Sequence, residues 1–122
     1  MNLLWNVIDF DGWGGYSWAE VMCGGFRECY WGIWIMKYPE GSWIKTHTDE
    51  SIGYKLYKFN IIYKQPKEGG EFFIDGAIID WAWLKVFRAD ICEHSVTPIV
   101  SGERAVLSIG LSIPDPNYKR VK

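Results

Sequence analysis

RAVLSIGLSI, at residues 104–113, carries the clearest structural signal in the chain. Apolar residues occupy every second position from Ala105 to Ile113, and smaller or polar residues, beginning with Arg104, occupy most positions between them. Successive side chains of a β-strand point to opposite faces, so this alternation has the period of a strand. The stretch therefore predicts a strand that ends at Pro114 and Pro116.

Working back from this strand, the chain shows a series of short segments with strand character, separated by glycine and proline turns. They are residues 29–37, 43–47, 56–64, 71–74, 77–81, 84–87 and 91–97. Many short strands at regular spacing predict a mainly β protein with the architecture of a sandwich or barrel. We expect one domain over residues 1–122, with a β core at 28–113 and a basic tail at 114–122.

The first 27 residues show no comparable strand pattern. Five glycines punctuate them, and the sequence predicts an irregular segment. One short helix is expected at 17–23, because Ser17 and Glu20 have the spacing of a capping box.

Composition limits the class of protein. Of the 122 residues, 48% are hydrophobic and 17% aromatic, which excludes a disordered chain. The net charge of −2 gives no overall positive field to attract nucleic acid. No apolar run approaches the roughly 20 residues that span a bilayer, and no signal peptide is visible, so no membrane partner is expected. Three cysteines, an odd number without C-x-x-C spacing, predict reduced thiols in a cytoplasmic protein.

The two histidines of the chain are the first candidates for chemistry. His47 and Asp49 form a His-x-Asp pair, and His94 follows on a later predicted strand, where its face also carries Cys92 and Val96. Two imidazoles and a carboxylate suit Fe(II) when they occupy one face of the ion. The pair alone is weak evidence, because with 15 acids in 122 residues one of the two histidines has an acid two positions on by chance about one time in four. His94 is expected to point inward, where either a metal or a hydrogen bond satisfies it.

Arg104 is a further candidate, because it shares its strand face with small residues that leave room for a guanidinium. An inward arginine needs an anionic partner, and a carboxylate accepts its two parallel donors. An outward arginine on a polar strand face is the alternative, and the sequence alone leaves both open.

The order of features resembles the Fe(II)- and 2-oxoglutarate-dependent dioxygenases, in particular their compact prolyl-4-hydroxylase-like branch. The resemblance covers about residues 30 to 113. The matching stretches are YPEG at 38–41, HTD at 47–49, FNIIY at 59–63, GGEF at 69–72, VF at 86–87, HSVTPIV at 94–100 and GER at 102–104.

This resemblance implies a double-stranded β-helix, which is a jelly-roll or cupin-like barrel. It implies that His47, Asp49 and His94 hold Fe(II), and that Arg104 pairs with the distal carboxylate of the cosubstrate 2-oxoglutarate. It also implies that Tyr38 hydrogen-bonds the same carboxylate, although a tyrosine at a strand end also serves simply for packing. Tryptophans are expected as walls of the site, with five candidates: Trp31, Trp34, Trp43, Trp81 and Trp83.

The implied reaction consumes dioxygen and 2-oxoglutarate, releases succinate and CO2, and hydroxylates a substrate. A protein or peptide side chain such as proline is the favoured substrate, although Arg104 stands where the prolyl branch often has lysine. A free amino acid remains open, and the acidic pI of about 5.6 makes nucleic acid less favoured. The alternatives are a non-catalytic jelly-roll binding module and a zinc hydrolase with the same three ligands.

Overall fold

The computed structural model describes residues 4–10, 13–49 and 52–116, and these residues form strands joined by turns and short loops. The strands, in chain order, are β1 (Trp5–Phe10), β2 (Trp13–Phe26), β3 (Cys29–Tyr38), β4 (Trp43–His47), β5 (Tyr54–Lys64), β6 (Glu68–Gly69), β7 (Phe72–Ile74), β8 (Ile79–Asp80), β9 (Leu84–Arg88), β10 (His94–Val96), β11 (Ile99–Ser101) and β12 (Arg104–Pro114). Within the described residues no helix is long and apolar enough to cross a membrane.

The strands form one large antiparallel sheet and one small one. The order in the large sheet is β7-β10-β4-β2-β3-β12-β5-β9-β8, with β1 added at the side of β2, and β11 pairs with β6 in the small sheet. Neighbours that are far apart in sequence, such as β10 beside β4 and β12 beside β3, are typical of a jelly-roll. The predicted mainly β, jelly-roll class is confirmed.

The N-terminal prediction was wrong in its detail. Instead of an irregular segment with a helix at 17–23, the structure has β1 and β2, and β2 pairs with β3 from Ser17 opposite Lys37 to Phe26 opposite Cys29. The capping signal at Ser17 is local, whereas pairing with β3 satisfies the backbone of the whole segment, so tertiary context overrides it. Residues 117–122 of the predicted tail lie outside the described residues.

The face of β12 that points into the protein is the more polar of its two faces in the sequence. Arg104, Val106 and Ser108 are each at most 4% exposed, whereas Leu107 and Ile109 on the opposite face are half-buried. This places Arg104 inside, which decides between the two orientations left open by the sequence. On the neighbouring strand β3, Tyr38 is the register partner of Arg104.

Two groups of buried residues form the core. One joins Tyr38 and Ile62 to Val96 and Val106. The other contains Phe87, which is fully buried, and includes Cys92. These groups include Ile44 of β4 and Val96 of β10, so the two strands that carry the histidines are packed into the core.

Candidate metal centre

The two histidines face each other across a pair of antiparallel strands. His47 ends β4 and His94 begins β10, and the two residues are direct partners in the register. Directly opposed side chains on an antiparallel pair lie close together, and here the imidazole centroids are 4.3 Å apart. The fold therefore brings together two rings that are far apart along the chain.

Asp49 reaches the same point from the loop after β4. Its backbone N–H donates to the carbonyl of Ala89 (2.8 Å), and the N–H of Ala89 donates to the carbonyl of Leu56 on β5 (2.9 Å). The Asp49 oxygens lie 3.3 Å from His47 Nε2 and 3.3 Å from His94 Nε2. The three ligand atoms of this triad, His47, Asp49 and His94, all lie within 4.8 Å of one another.

Hydrogen bonds on the far side of each ring define how the triad can bind a cation. The Nδ1 atom of His47 lies 2.7 Å from the carbonyl oxygen of Lys45, and that of His94 lies 2.9 Å from the carbonyl oxygen of Cys92. A carbonyl oxygen only accepts, so in each neutral ring Nδ1 carries the hydrogen and Nε2 keeps its lone pair. Both lone pairs therefore face the Asp49 carboxylate, and three acceptors at this distance need a proton or a cation between them.

The donor set and its spacing fit a first-row divalent ion. Bonds of about 2.1 Å from one ion to nitrogen and oxygen place neighbouring ligand atoms roughly 3 Å apart, close to the two observed distances of 3.3 Å. Two imidazoles and one carboxylate with open positions are the ligands of non-haem Fe(II) centres, and zinc accepts the same atoms.

The surroundings of Asp49 favour its charged form. Burial raises the pKa of Asp49, but a proton shared with the imidazoles of His47 and His94, and the ammonium of Lys58, outweigh burial and hold it well below its usual value. Lys58 Nζ lies 3.4 Å from Asp49 Oδ2. The carboxylate is therefore ionised at neutral pH, as a metal ligand must be.

Aromatic side chains hold His94 in place. The ring of Phe87 lies 4.9 Å from the His94 ring, and that of Phe72 stacks on it at 6.3 Å. With Tyr16, Tyr38 and the triad, they line a cavity of about 130 Å³. The candidate ligands therefore border a cavity with partly aromatic walls that shields them in part from water, so that charges interact more strongly there than in bulk solvent.

Tyr38 lies at the boundary between this cavity and Arg104. It is 3% exposed, its ring stacks on that of Tyr16 (5.1 Å), and its hydroxyl donates to the Met36 sulfur (3.6 Å). Burial raises the pKa of Tyr38, and the nearby Tyr16 adds to the effect. The tyrosine is therefore a neutral donor held beside the triad by weak contacts.

Arg104 lies on the other side of Tyr38, and it does not line the cavity of the triad. Its Nη2 donates to the carbonyl of Gly70, while Nε and Nη1 are buried and have no hydrogen-bond partner within the described part of the chain. Burial lowers the pKa of Arg104. A buried guanidinium with two unused donors is costly, and an anion is the group that would satisfy it.

Of the predicted tryptophan walls, Trp34 borders the interior. Trp31, Trp43, Trp81 and Trp83 are 37% to 54% exposed and line neither the triad cavity nor the one beside it. The sequence analysis did not single out three residues that do line the interior: Tyr16, Trp18 and Lys58. The alternation of β5 places Lys58 on the same strand face as Asn60, which is buried. This shared face was the sequence feature that could have indicated an inward Lys58.

No family model matches the sequence, and a search of curated proteins finds no relative. Solved structures do match. The chain has a cupin-type jelly-roll fold. A cupin-2 conserved barrel domain protein from Rhodopseudomonas palustris has a TM-score of 0.64 at 12% identity, over 93% of this chain and 74% of the other. A cupin-2 domain from Rhodospirillum rubrum has a TM-score of 0.64 at 9% identity, over 93% and 72%.

A third similar structure is a viral collagen prolyl hydroxylase from Paramecium bursaria chlorella virus 1, solved as a complex with 2-oxoglutarate. Its TM-score is 0.53 at 16% identity, over 71% of this chain and 61% of the other. At such identities the likeness concerns the fold. The protein is thus a cupin-fold chain in which His47, Asp49 and His94 form a candidate metal site.

A salt bridge behind the site yields a prediction for stability. Arg88 donates to both oxygens of Asp90 (2.8 and 2.6 Å), and the Leu56 N–H donates to one of them (3.1 Å). Burial raises the pKa of Asp90, but these hydrogen bonds outweigh it and leave the pKa below the usual value. Asp90→Asn is expected to lower the free energy of unfolding by about 1–3 kcal/mol at pH 7.

The sign of the pH dependence follows from the lowered pKa. A carboxyl with a lower pKa in the folded chain stabilises above its unfolded pKa of about 3.9, and this stabilisation is lost as the pH falls through the folded value. Urea unfolding at pH 7 and pH 3 should therefore give a smaller difference between wild type and variant at pH 3. Glu103→Gln, which removes an exposed pair with Lys64, is the control with little effect at either pH. Equal losses in the two variants would contradict this role of Asp90.

Proposed function

We propose that the protein is an Fe(II)- and 2-oxoglutarate-dependent dioxygenase that hydroxylates a C–H bond of an amino-acid or peptide substrate, such as proline. The observation that carries the proposal is that the Nε2 atoms of His47 and His94 each lie 3.3 Å from an oxygen of the Asp49 carboxylate. Two neutral imidazoles and one charged oxygen give the ligand set that leaves positions open for a chelating acid and dioxygen. The likeness to a 2-oxoglutarate-bound viral hydroxylase supports the same class.

In this proposal Arg104 and Tyr38 hold the distal carboxylate of 2-oxoglutarate. Tyr38 lines the triad cavity and is the register partner of Arg104, so an elongated acid that begins at the triad and passes Tyr38 reaches the guanidinium. The Arg104 donors Nε and Nη1 would then gain acceptors. Arginine suits this role because its fixed pair of donors matches a carboxylate.

The remaining residues orient the ligands and exclude water. Lys45 and Cys92 carbonyls fix the tautomers of the two histidines, and Phe87 and Phe72 restrict the His94 ring. When bound, the ferrous ion and 2-oxoglutarate supply dioxygen activation, in which one oxygen atom enters succinate and the other becomes the product hydroxyl. The protein contributes position, charge neutralisation and partial shielding from water.

Succinate release tests this function. The purified protein with Fe(II), ascorbate, 2-oxoglutarate and air should form succinate and CO2, slowly without substrate and faster with a substrate from a panel of peptides and amino acids. Asp49→Asn, which keeps the size of the side chain but removes its charge, should abolish succinate formation. Zinc bound at one equivalent with no succinate formed from the iron-loaded protein would overturn the proposal in favour of a hydrolase or a binding module.

A further inference from the structure

A second cavity opens beside the triad. It has a volume of about 210 Å³, and we call it the aromatic chamber. Its lining consists of Tyr16, Trp18, Trp34, Met36, Lys58 and Ser108. Tyr16, Met36 and Lys58 also line the cavity of the triad, so the two spaces are neighbours that share a wall. An apolar cavity of about 150 Å³ is large enough for benzene, so the chamber has room for a ring with a short side chain.

One wall of the chamber is the indole ring of Trp34, and two glycines leave room for it. Gly32 on β3 and Gly110 on β12 are register partners. A Cβ atom at Gly32 would lie 2.3 Å from the Trp34 ring, and one at Gly110 would lie 2.8 Å from it. The indole of Trp34 therefore lies against two strands at a place where only glycine leaves room. This close approach keeps a flat aromatic surface at a fixed position in the chamber.

Lys58 provides the charge in the chamber. Ser108 already donates its hydroxyl hydrogen to Asn60 Oδ1 (2.6 Å), and Lys58 is the one cationic residue that lines the chamber within the described part of the chain. Its ammonium lies 3.4 Å from Asp49 Oδ2, at the junction of the two cavities. A divalent ion held by the triad would take up the charge of Asp49 and repel the ammonium, which would then need another anion nearby.

We propose that the aromatic chamber binds the substrate, and that the substrate is a small apolar carboxylic acid whose carboxylate pairs with Lys58. The apolar part lies between the rings of Trp18, Trp34 and Tyr16, next to the triad. The inference rests on the proposed function for the reaction, and of the substrates named there it favours a free acid over a peptide. Arg104 and Lys58 then serve two different carboxylates, one on each side of the triad cavity.

Quenching of tryptophan fluorescence measures this binding without turnover. The probes are 3-phenylpropanoate and its neutral amide, titrated into the Fe(II)-loaded protein without dioxygen. We expect the acid to bind about 10- to 100-fold more tightly than the amide, the range for a hydrogen bond to a charged group. Lys58→Gln should remove this preference, Lys58→Arg should retain it, and Lys64→Gln, an exposed lysine on the same strand, should not alter it.

Two outcomes overturn the inference. The first is a preference for the acid that persists in Lys58→Gln, because the carboxylate then binds elsewhere. The second is a Lys58→Gln variant that loses affinity for 2-oxoglutarate instead, because Lys58 then serves the cosubstrate. Failure of the proposed function has a different signature: no succinate is formed, while the probes still distinguish Lys58 from glutamine.

Discussion

Replacing His94 with alanine is expected to weaken Fe(II) binding by more than about 100-fold. Loss of a group that merely orients a metal ligand costs 10- to 100-fold in affinity, and His94 is proposed as a ligand itself. The Nε2 atom of His94 supplies one of the two nitrogen donors that face Asp49. The change in Fe(II) affinity is measured by titration without dioxygen, with calorimetry or a competing chelator as the readout.

Val96→Ala is the matched control for His94→Ala. Val96 lies on the same strand, two residues on, and is 2% exposed. Its truncation should destabilise the chain through lost packing and leave Fe(II) affinity within a few-fold of wild type. Circular dichroism should show that both variants keep their β structure. Unchanged iron binding in a folded His94→Ala chain would remove His94 from the metal site.

Arg104→Met is expected to stabilise the protein without ligands while lowering its affinity for 2-oxoglutarate about 100-fold. Two buried donors of Arg104 have no partner in the described residues, and a buried charge that lacks full pairing is often less stable than an apolar side chain of similar volume. Loss of a buried charge pair with a ligand costs about 2–5 kcal/mol, or roughly 30-fold and more.

Thermal unfolding separates the two effects in one experiment. The melting temperature of Arg104→Met without ligands should equal or exceed that of wild type, while 2-oxoglutarate with Fe(II) should raise it much less than in wild type. Iron affinity should remain near wild type, because Arg104 does not line the triad cavity. If 2-oxoglutarate stabilises wild type and variant equally, Arg104 has another role.

Strands with a regular pattern were predictable because one face of such a strand is buried, and apolar residues therefore occupy every second position. The structure has β4 at Trp43–His47, the range expected from the sequence, and β12 extends the predicted strand by one residue to Pro114. β2 was not predictable in the same way. Its glycines and the Ser17 capping pattern hide a strand that is stabilised by pairing with β3 and β4.

The triad was partly visible in the sequence. His47 and Asp49 are neighbours in the chain, but the pairing of His94 with His47 depends on the register of β10 against β4, and only the family resemblance predicted it. Sequence alternation also did not reveal which face of β12 points inward. Here small and polar residues line the inner face because the interior encloses cavities. Lys58, which looks like a solvated lysine on a strand, is half-buried and lines both cavities.

Calorimetric titration of 2-oxoglutarate in the absence of dioxygen tests the central claim most directly. If His47, Asp49 and His94 hold Fe(II) and the metal and Arg104 together bind the cosubstrate, one equivalent of 2-oxoglutarate should bind to the iron-loaded protein. Little should bind to protein that has been treated with a chelator. Binding of 2-oxoglutarate that is equally tight without metal, or absent from protein that has taken up one equivalent of Fe(II), would contradict the account.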